Sequence, residues 1–157
     1  MTASPMRQYA LAVMARAPEP GQVKTRLVPP LSYESAAGLY RCFLLDKLLQ
    51  VAGLPEIDPY LAYTPTGARQ SMLELLPEAF TLIPQAGSSL GDRLHRLSAI
   101  LLERGHPAAI LIDSDSPTLP TPYLLDAVAR LQSGTTDLVL GPAEDGGYYL
   151  IGLKRPC

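Results

Sequence analysis

Ala108-Ala109-Ile110-Leu111-Ile112-Asp113-Ser114-Asp115-Ser116-Pro117 is the stretch on which the fold turns. Five apolar residues bounded by a glycine upstream and a proline downstream suit a strand buried on both faces. Such a strand belongs to a sheet covered by helices. Its end delivers two carboxylates to the carboxyl edge, the side on which open α/β sheets bind ligands. About thirty residues on, Leu138-Val139-Leu140 leads into Gly141-Pro142-Ala143-Glu144-Asp145-Gly146-Gly147-Tyr148-Tyr149, so a second strand end carries acid to the same crevice.

Working outward, the chain alternates strand and helix. Tyr9–Ala15 reads as a buried strand, followed by a Pro- and Gly-bearing loop, Arg16–Leu31, that cannot be helical throughout. Ser32 caps a helix with apolar positions Ala36, Leu39, Tyr40, Phe43, Leu48 and Val51, ending near Gly53 and Pro55. Cys42 lies within this helix and is expected in the core. Ile57–Tyr63 is a second strand, Ala68–Leu76 a short helix and Ala79–Pro84 a third strand. A helix with Leu90, Leu94, Leu97, Leu101 and Leu102 inward ends at Gly105; another spans Thr121–Gln132, before strands near Asp137–Leu140 and Tyr148–Leu153. Helical connections imply a mostly parallel sheet whose loops after strands, Arg16–Leu31, Gln85–Arg93, Asp113–Pro120 and Pro142–Gly147, gather on one edge.

With 157 residues, 47% of them hydrophobic, the chain can bury one sizeable core, and a single domain over 1–157 is expected. A net charge of −2 argues against nucleic acid or an anionic membrane as principal partner. No apolar run reaches bilayer length, and Met1–Gln8 lacks the apolar core of a signal peptide, so a cytoplasmic protein is expected. Two cysteines, Cys42 and Cys157, suggest neither a disulfide framework nor a cysteine metal site.

Magnesium or manganese needs only one or two carboxylates beside diphosphate oxygens. Asp115, with Asp113 and Asp145, can supply them, although an aspartate here can equally close a turn or cap a helix. After the first strand, Lys24 and Arg26 offer a point charge and a planar fork for phosphate oxygens, or form an ordinary solvated basic loop. Spaced P-loop glycines are missing. Gly87, Gly91 and Arg93 allow backbone amides to approach a nucleotide at a helix start. Gly146 and Gly147 permit close ligand approach. Tyr148 and Tyr149 point to opposite faces, so one is expected in the core. His95 and His106 have no metal or nucleophile partners in sequence and are assigned to structure.

The segments Ala15–Leu27, Leu90–Leu94, Asp113–Pro120 and Gly141–Leu150 together resemble the signatures of a bacterial family of small glycosyltransferase-A-like proteins. That family is similar to the 2-phospholactate guanylyltransferases. The resemblance runs co-linearly over nearly the whole chain and implies a three-layer Rossmann-like nucleotide-diphospho-sugar transferase fold. It implies a catalytic and metal-binding role for Asp115, nucleotide phosphate contacts for Lys24 and Arg26, and an approach to the nucleoside by Gly91 and Arg93. Asp145, with Gly146 and Gly147, is implied to lie near the metal or acceptor. Asp113 stands where relatives often carry glycine. Relatives continue with a further helix and strand beyond the position of Pro156-Cys157, which puts the acceptor-side wall, and with it turnover, in question.

Two chemistries use these residues. One is glycosyl transfer from a nucleotide-diphospho-sugar to a small-molecule acceptor; the other is nucleotidyl transfer from a nucleoside triphosphate to a phosphorylated or sugar acceptor. The missing Gly-x-Gly-x-Arg type of first loop tilts the expectation to glycosyl transfer. A nucleotide-binding module without turnover is the third class. An uncovered late strand would also allow a homodimer.

Overall fold

The computed structural model describes residues 8–156; Cys157 and all but the last residue of the Met1–Gln8 segment lie outside the described residues. A six-stranded sheet of order β3-β2-β1-β4-β6-β5 organises the chain. Its strands are β1 (Tyr9–Arg16), β2 (Ile57–Thr64), β3 (Thr81–Pro84), β4 (Ala109–Asp113), β5 (Leu138–Pro142) and β6 (Tyr148–Leu153). The helices are α1 (Tyr33–Ala52), α2 (Arg69–Leu73), α3 (Leu90–Glu103) and α4 (Thr121–Gln132). Strands β1 to β4 are mutually parallel, whereas β6 runs antiparallel to both β4 and β5.

The antiparallel insertion follows from connection length. Between β5 and β6 only residues 143–147 intervene, too few for a crossover, so the chain must turn back on itself. Strand β5 therefore points the same way as β4, and the hairpin joins the loops after β1, β3 and β4 at the carboxyl edge. From β1 the chain moves outward through β2 and β3, then returns to place β4 on the other side of β1. This reversal is a topological switch point, where the two outgoing loops diverge and leave a crevice.

Alternation along the strands divides the core. Leu11, Val13, Ile110 and Ile112 pack toward α1 and α4, with Leu44, Leu48, Leu124 and Leu131. Ala10, Ala12, Ala109 and Leu111 pack toward α3, with Leu94, Leu97 and Leu101. Ser32 caps α1 by accepting the Ser35 amide at 3.0 Å, and Ser89 caps α3 by accepting that of Asp92 at 3.1 Å, as helix starts favour.

Several side chains stand elsewhere than their spacing predicts. Cys42 is exposed, because the buried stripe of α1 is Ala36, Ala37, Tyr40, Leu44, Lys47, Leu48 and Val51, and a residue two past Tyr40 falls on the far side. Leu39 is partly exposed for the same reason. Leu90, at the first turn of α3, precedes the contact with the sheet and is 61% exposed. Of the tyrosine pair, Tyr149 packs against the core and stacks on Tyr123, while Tyr148 is exposed. The edge strand β5 leaves Leu138 and Leu140 exposed. No helix among the described residues is long and apolar enough to cross a membrane.

Candidate functional site

A crevice of about 320 Å³ opens at the carboxyl ends of β1 and β4. Met14, Ala15 and Arg16 line one side; Ile112, Asp113, Ser114 and Asp115 line the other. Gln85 reaches it from the loop entering α3, Arg93 from the first turn of that helix, and Tyr148 from the start of β6. Four sequence-distant segments thus share one concavity, as parallel topology requires.

The two charged loops meet directly. Lys24 Nζ lies 3.0 Å from Asp115 Oδ1 and 6.0 Å from the centre of the Phe43 ring on α1. The Lys24 backbone is left-handed, at φ 50° and ψ 34°, and its carbonyl accepts the Leu27 amide at 3.0 Å, closing a turn that aims the side chain back across the sheet edge. With side chains 25% and 56% exposed, the pair itself contributes at most about 1 kcal/mol to stability. Its value is positional.

Asp113 and Asp115 are chemically unlike despite their adjacency. Asp113 Oδ1 accepts the amides of Asp115 and Ser116 at 3.2 and 3.1 Å, and Oδ2 accepts the Ser116 hydroxyl at 2.8 Å. That carboxylate folds its own loop, in the manner of an Asx turn. Asp115 carries its charge outward to Lys24. Asp145 Oδ1 accepts the Gly147 amide at 3.0 Å, and Gly146 takes a left-handed φ of 88°, which fixes the hairpin tip. Among the described residues no three of His, Cys, Asp and Glu are grouped so as to hold a metal ion. Asp115, Asp113 and Asp145 therefore share an edge without forming a closed cage.

At the start of α3, Asp92 Oδ2 accepts the Ser88 amide at 3.0 Å, so an acidic group occupies part of the helix entrance. Gly87 is needed there: a Cβ would meet Asp92 Oδ2 at 2.8 Å, at a φ of 136°. Arg93 Nε donates to the Gly87 carbonyl at 3.1 Å, which binds the loop while the residue lines the crevice. Gly91 and Arg26 are exposed at the same sheet edge, on α3 and on the turn after Lys24.

Behind the site lies a polar support that spacing does not reveal. The Arg16 amide donates to Tyr40 Oη at 3.0 Å, and Tyr40 Oη lies 2.8 Å from Ser114 Oγ. One phenol on α1 thereby ties the ends of β1 and β4. Burial pushes the Tyr40 hydroxyl above its ordinary pKa, partly offset by those hydrogen bonds. Lys47, 1% exposed, donates to Gln50 Oε1 at 2.8 Å. Gln50 in turn donates to the Leu119 carbonyl and to Thr121 Oγ1 at 2.8 and 3.1 Å, clamping the far end of the acidic loop. Burial lowers the Lys47 pKa, and the Asp113 charge partly opposes this. The three/four spacing of Leu44, Lys47, Leu48 and Val51 is the signal that could have placed this lysine inside. Gln85 Nε2 likewise donates to the carbonyls of Ala15 and Ala62, at 3.2 and 2.8 Å, stitching the ends of β1 and β2.

The strand order and the helices on both faces make this a three-layer α/β fold of the nucleotide-diphospho-sugar transferase-like kind. Over 94% of its length the chain superposes with a TM-score of 0.87, at 33% identity, on the "putative nucleotide-diphospho-sugar transferase" of Desulfovibrio desulfuricans G20. The chain belongs to the family described as an uncharacterized protein conserved in bacteria (DUF2064), which matches residues 46–157. It spans 64% of the length of the Desulfovibrio protein. More distant likeness of fold alone extends to CMP:2-keto-3-deoxy-manno-octonic acid synthetase complexed with CTP, with a TM-score of 0.57, 9% identity, and 94% and 74% of the two chains covered. It extends also to Rv0371c of Mycobacterium tuberculosis H37Rv in complex with manganese, with a TM-score of 0.50, 17% identity, and 92% and 70% covered. None of the curated proteins matches the chain.

Proposed function

We propose that this chain is a metal-dependent glycosyltransferase that takes a nucleotide-diphospho-sugar donor and passes the sugar to a hydroxyl of a small-molecule acceptor. The observation that carries this reading is the meeting of Lys24 and Asp115 at 3.0 Å beside a crevice at the switch point of the sheet. A diphosphate with its cation presents charges of both signs within a few ångströms, and this pair presents their complement. Asp115 is the residue for the cation: its carboxylate oxygens are hard donors, and its loop is shaped by Asp113 instead. The open acidic edge suits a cation that keeps water and phosphate oxygens among its ligands. Magnesium or manganese bound there supplies positive charge to the departing diphosphate.

The remaining roles are assigned to this chain's own residues. Lys24 and Arg26 hold the phosphate oxygens, while Arg93, which lines the crevice, and Gly91 near it are assigned to the nucleoside. Gly146 and Gly147 let the hairpin approach the ligand closely, and Asp145 is the carboxylate assigned to the acceptor side, with Asp113 its auxiliary near the cation. In the transfer the bond from the anomeric carbon to the diphosphate breaks, a bond from acceptor oxygen to that carbon forms, and the acceptor proton passes to a carboxylate. Stabilising the leaving group in place is the larger part of such catalysis.

Nucleotidyl transfer is the second reading, favoured by the CTP-bound synthetase of like fold. Incubation of the purified chain with nucleotide sugars or nucleoside triphosphates, with and without manganese, separates the two by product. Metal-dependent release of nucleoside diphosphate from one nucleotide sugar, abolished by Asp115→Asn, is expected. Release of pyrophosphate from a triphosphate instead would move the assignment to nucleotidyl transfer, and tight binding without either product would make the chain a binding module.

A further inference from the structure

We propose that the Lys24 ammonium holds the cation's place at Asp115 in the ligand-free protein, so that a free divalent cation is opposed there and a cation already carried on a diphosphate is favoured. The nature of that diphosphate rests on the transferase reading above; the competition at Asp115 does not.

Three features of the site lead to this. First, the ammonium sits 3.0 Å from Asp115 Oδ1, a position where a bound cation would face it across a shared carboxylate. Two positive charges at such a separation repel strongly even with substantial screening. Second, Lys24 is held there from two directions. Its ammonium lies over the Phe43 ring at 6.0 Å, a contact that favours a cation, and its left-handed backbone starts the turn closed by Leu27. Third, Asp113 is the poorer ligand of the two, because both of its oxygens already accept hydrogen bonds within their own loop, so it does not replace Asp115 for a cation. Drawing Oδ1 of Asp113 to a metal would compete with the two backbone hydrogen bonds that present Asp115.

A diphosphate resolves the conflict. Its oxygens accept the ammonium, which leaves Asp115, while the cation brought with it takes the carboxylate. Each component then improves the site for the other, a coupling that is reciprocal in free energy. The protein thus selects the metal–diphosphate complex over either part.

The test uses probes that need no knowledge of the nucleotide: manganese alone, and the preformed manganese–pyrophosphate complex, each titrated calorimetrically into wild type and Lys24→Met. Lys24→Met is expected to bind manganese alone about two- to fivefold more tightly, the range set by partly exposed ion pairs, and to bind the complex more weakly than wild type. Adding Asp115→Asn should erase the gain. Manganese affinity unchanged or weakened in Lys24→Met overturns the proposal. Should Lys24→Met fail to fold, Lys24→Gln and Phe43→Leu carry the same test, the latter loosening the lysine without removing its charge and giving a smaller gain. Because the manganese arm contains no nucleotide, a protein that ignores every nucleotide sugar would defeat the transferase reading and leave this result standing.

Discussion

Tyr40 and Lys47 sit on one buried stripe of α1 and support the site from below, with opposite responses to pH. Tyr40→Phe removes the acceptor of the Arg16 amide and the partner of Ser114; leaving such groups unpaired costs about 1–3 kcal/mol, to be read as a fall in the urea midpoint. The Tyr40 pKa is raised above 10.0 by burial. Its contribution to stability is therefore complete below pH 10.0 and is lost as pH rises through the folded value. Lys47 is lowered from 10.5 by burial, so the unfolded chain holds that proton more tightly. Its contribution is complete above pH 10.5 and is lost as pH falls through the folded value. The stability of wild type minus that of Lys47→Met is thus expected to grow as pH is raised toward 10.5; a flat or falling difference in denaturation midpoints would contradict the assignment. The burial of Tyr40 was legible in its spacing with Ala36 and Val51. Its bonds were not, because Arg16 lies 24 residues and Ser114 lies 74 residues away, and nothing local encodes such meetings.

At the scale of elements, the Asp113–Pro120 loop and the β5–β6 hairpin show how a short segment presents a site. Asp113→Ala deletes three hydrogen bonds within its loop and is expected to displace Asp115. The measurement is metal affinity beside thermal stability: both should fall, whereas a turn-independent Asp115 would keep its affinity. In the hairpin, the Tyr149 ring lies across Gly141, where a Cβ would come within 2.5 Å of it. Gly141→Ala must push the ring off its stack with Tyr123, at an expected cost of about 1–3 kcal/mol as in other overpacked sites. The bounds of α4 and β6 were readable because Pro120 and Gly147 punctuate them. The direction of β6 was readable too, had the five residues between the strands been weighed against the length of a crossover. The exposure of Leu90 and Cys42 was not, since periodicity fixes a stripe but not its phase against the sheet.

For the molecule as a whole, strand order does the decisive work. Placing β4 beside β1 after the excursion to β3 brings Lys24 and Asp115 together, although the chain separates them by most of its length. Which loops converge was legible from the alternation of strands and helices. Which carboxylate faces outward was not, because Asp113 and Asp115 differ only in what their own backbone does with them. Any ligand held at this junction ties β1 to β4 and should stabilise the native state by an amount that grows with the logarithm of its concentration above Kd. The most direct measurement is calorimetric titration of a panel of nucleotide-diphospho-sugars, with manganese present and absent, into wild type, Asp115→Asn and Lys24→Met. One sugar nucleotide is expected to bind wild type in a manganese-dependent way, with each substitution weakening it by about tenfold or more, equivalent to about 1.4 kcal/mol. Binding that is indifferent to manganese and to both substitutions would contradict the account.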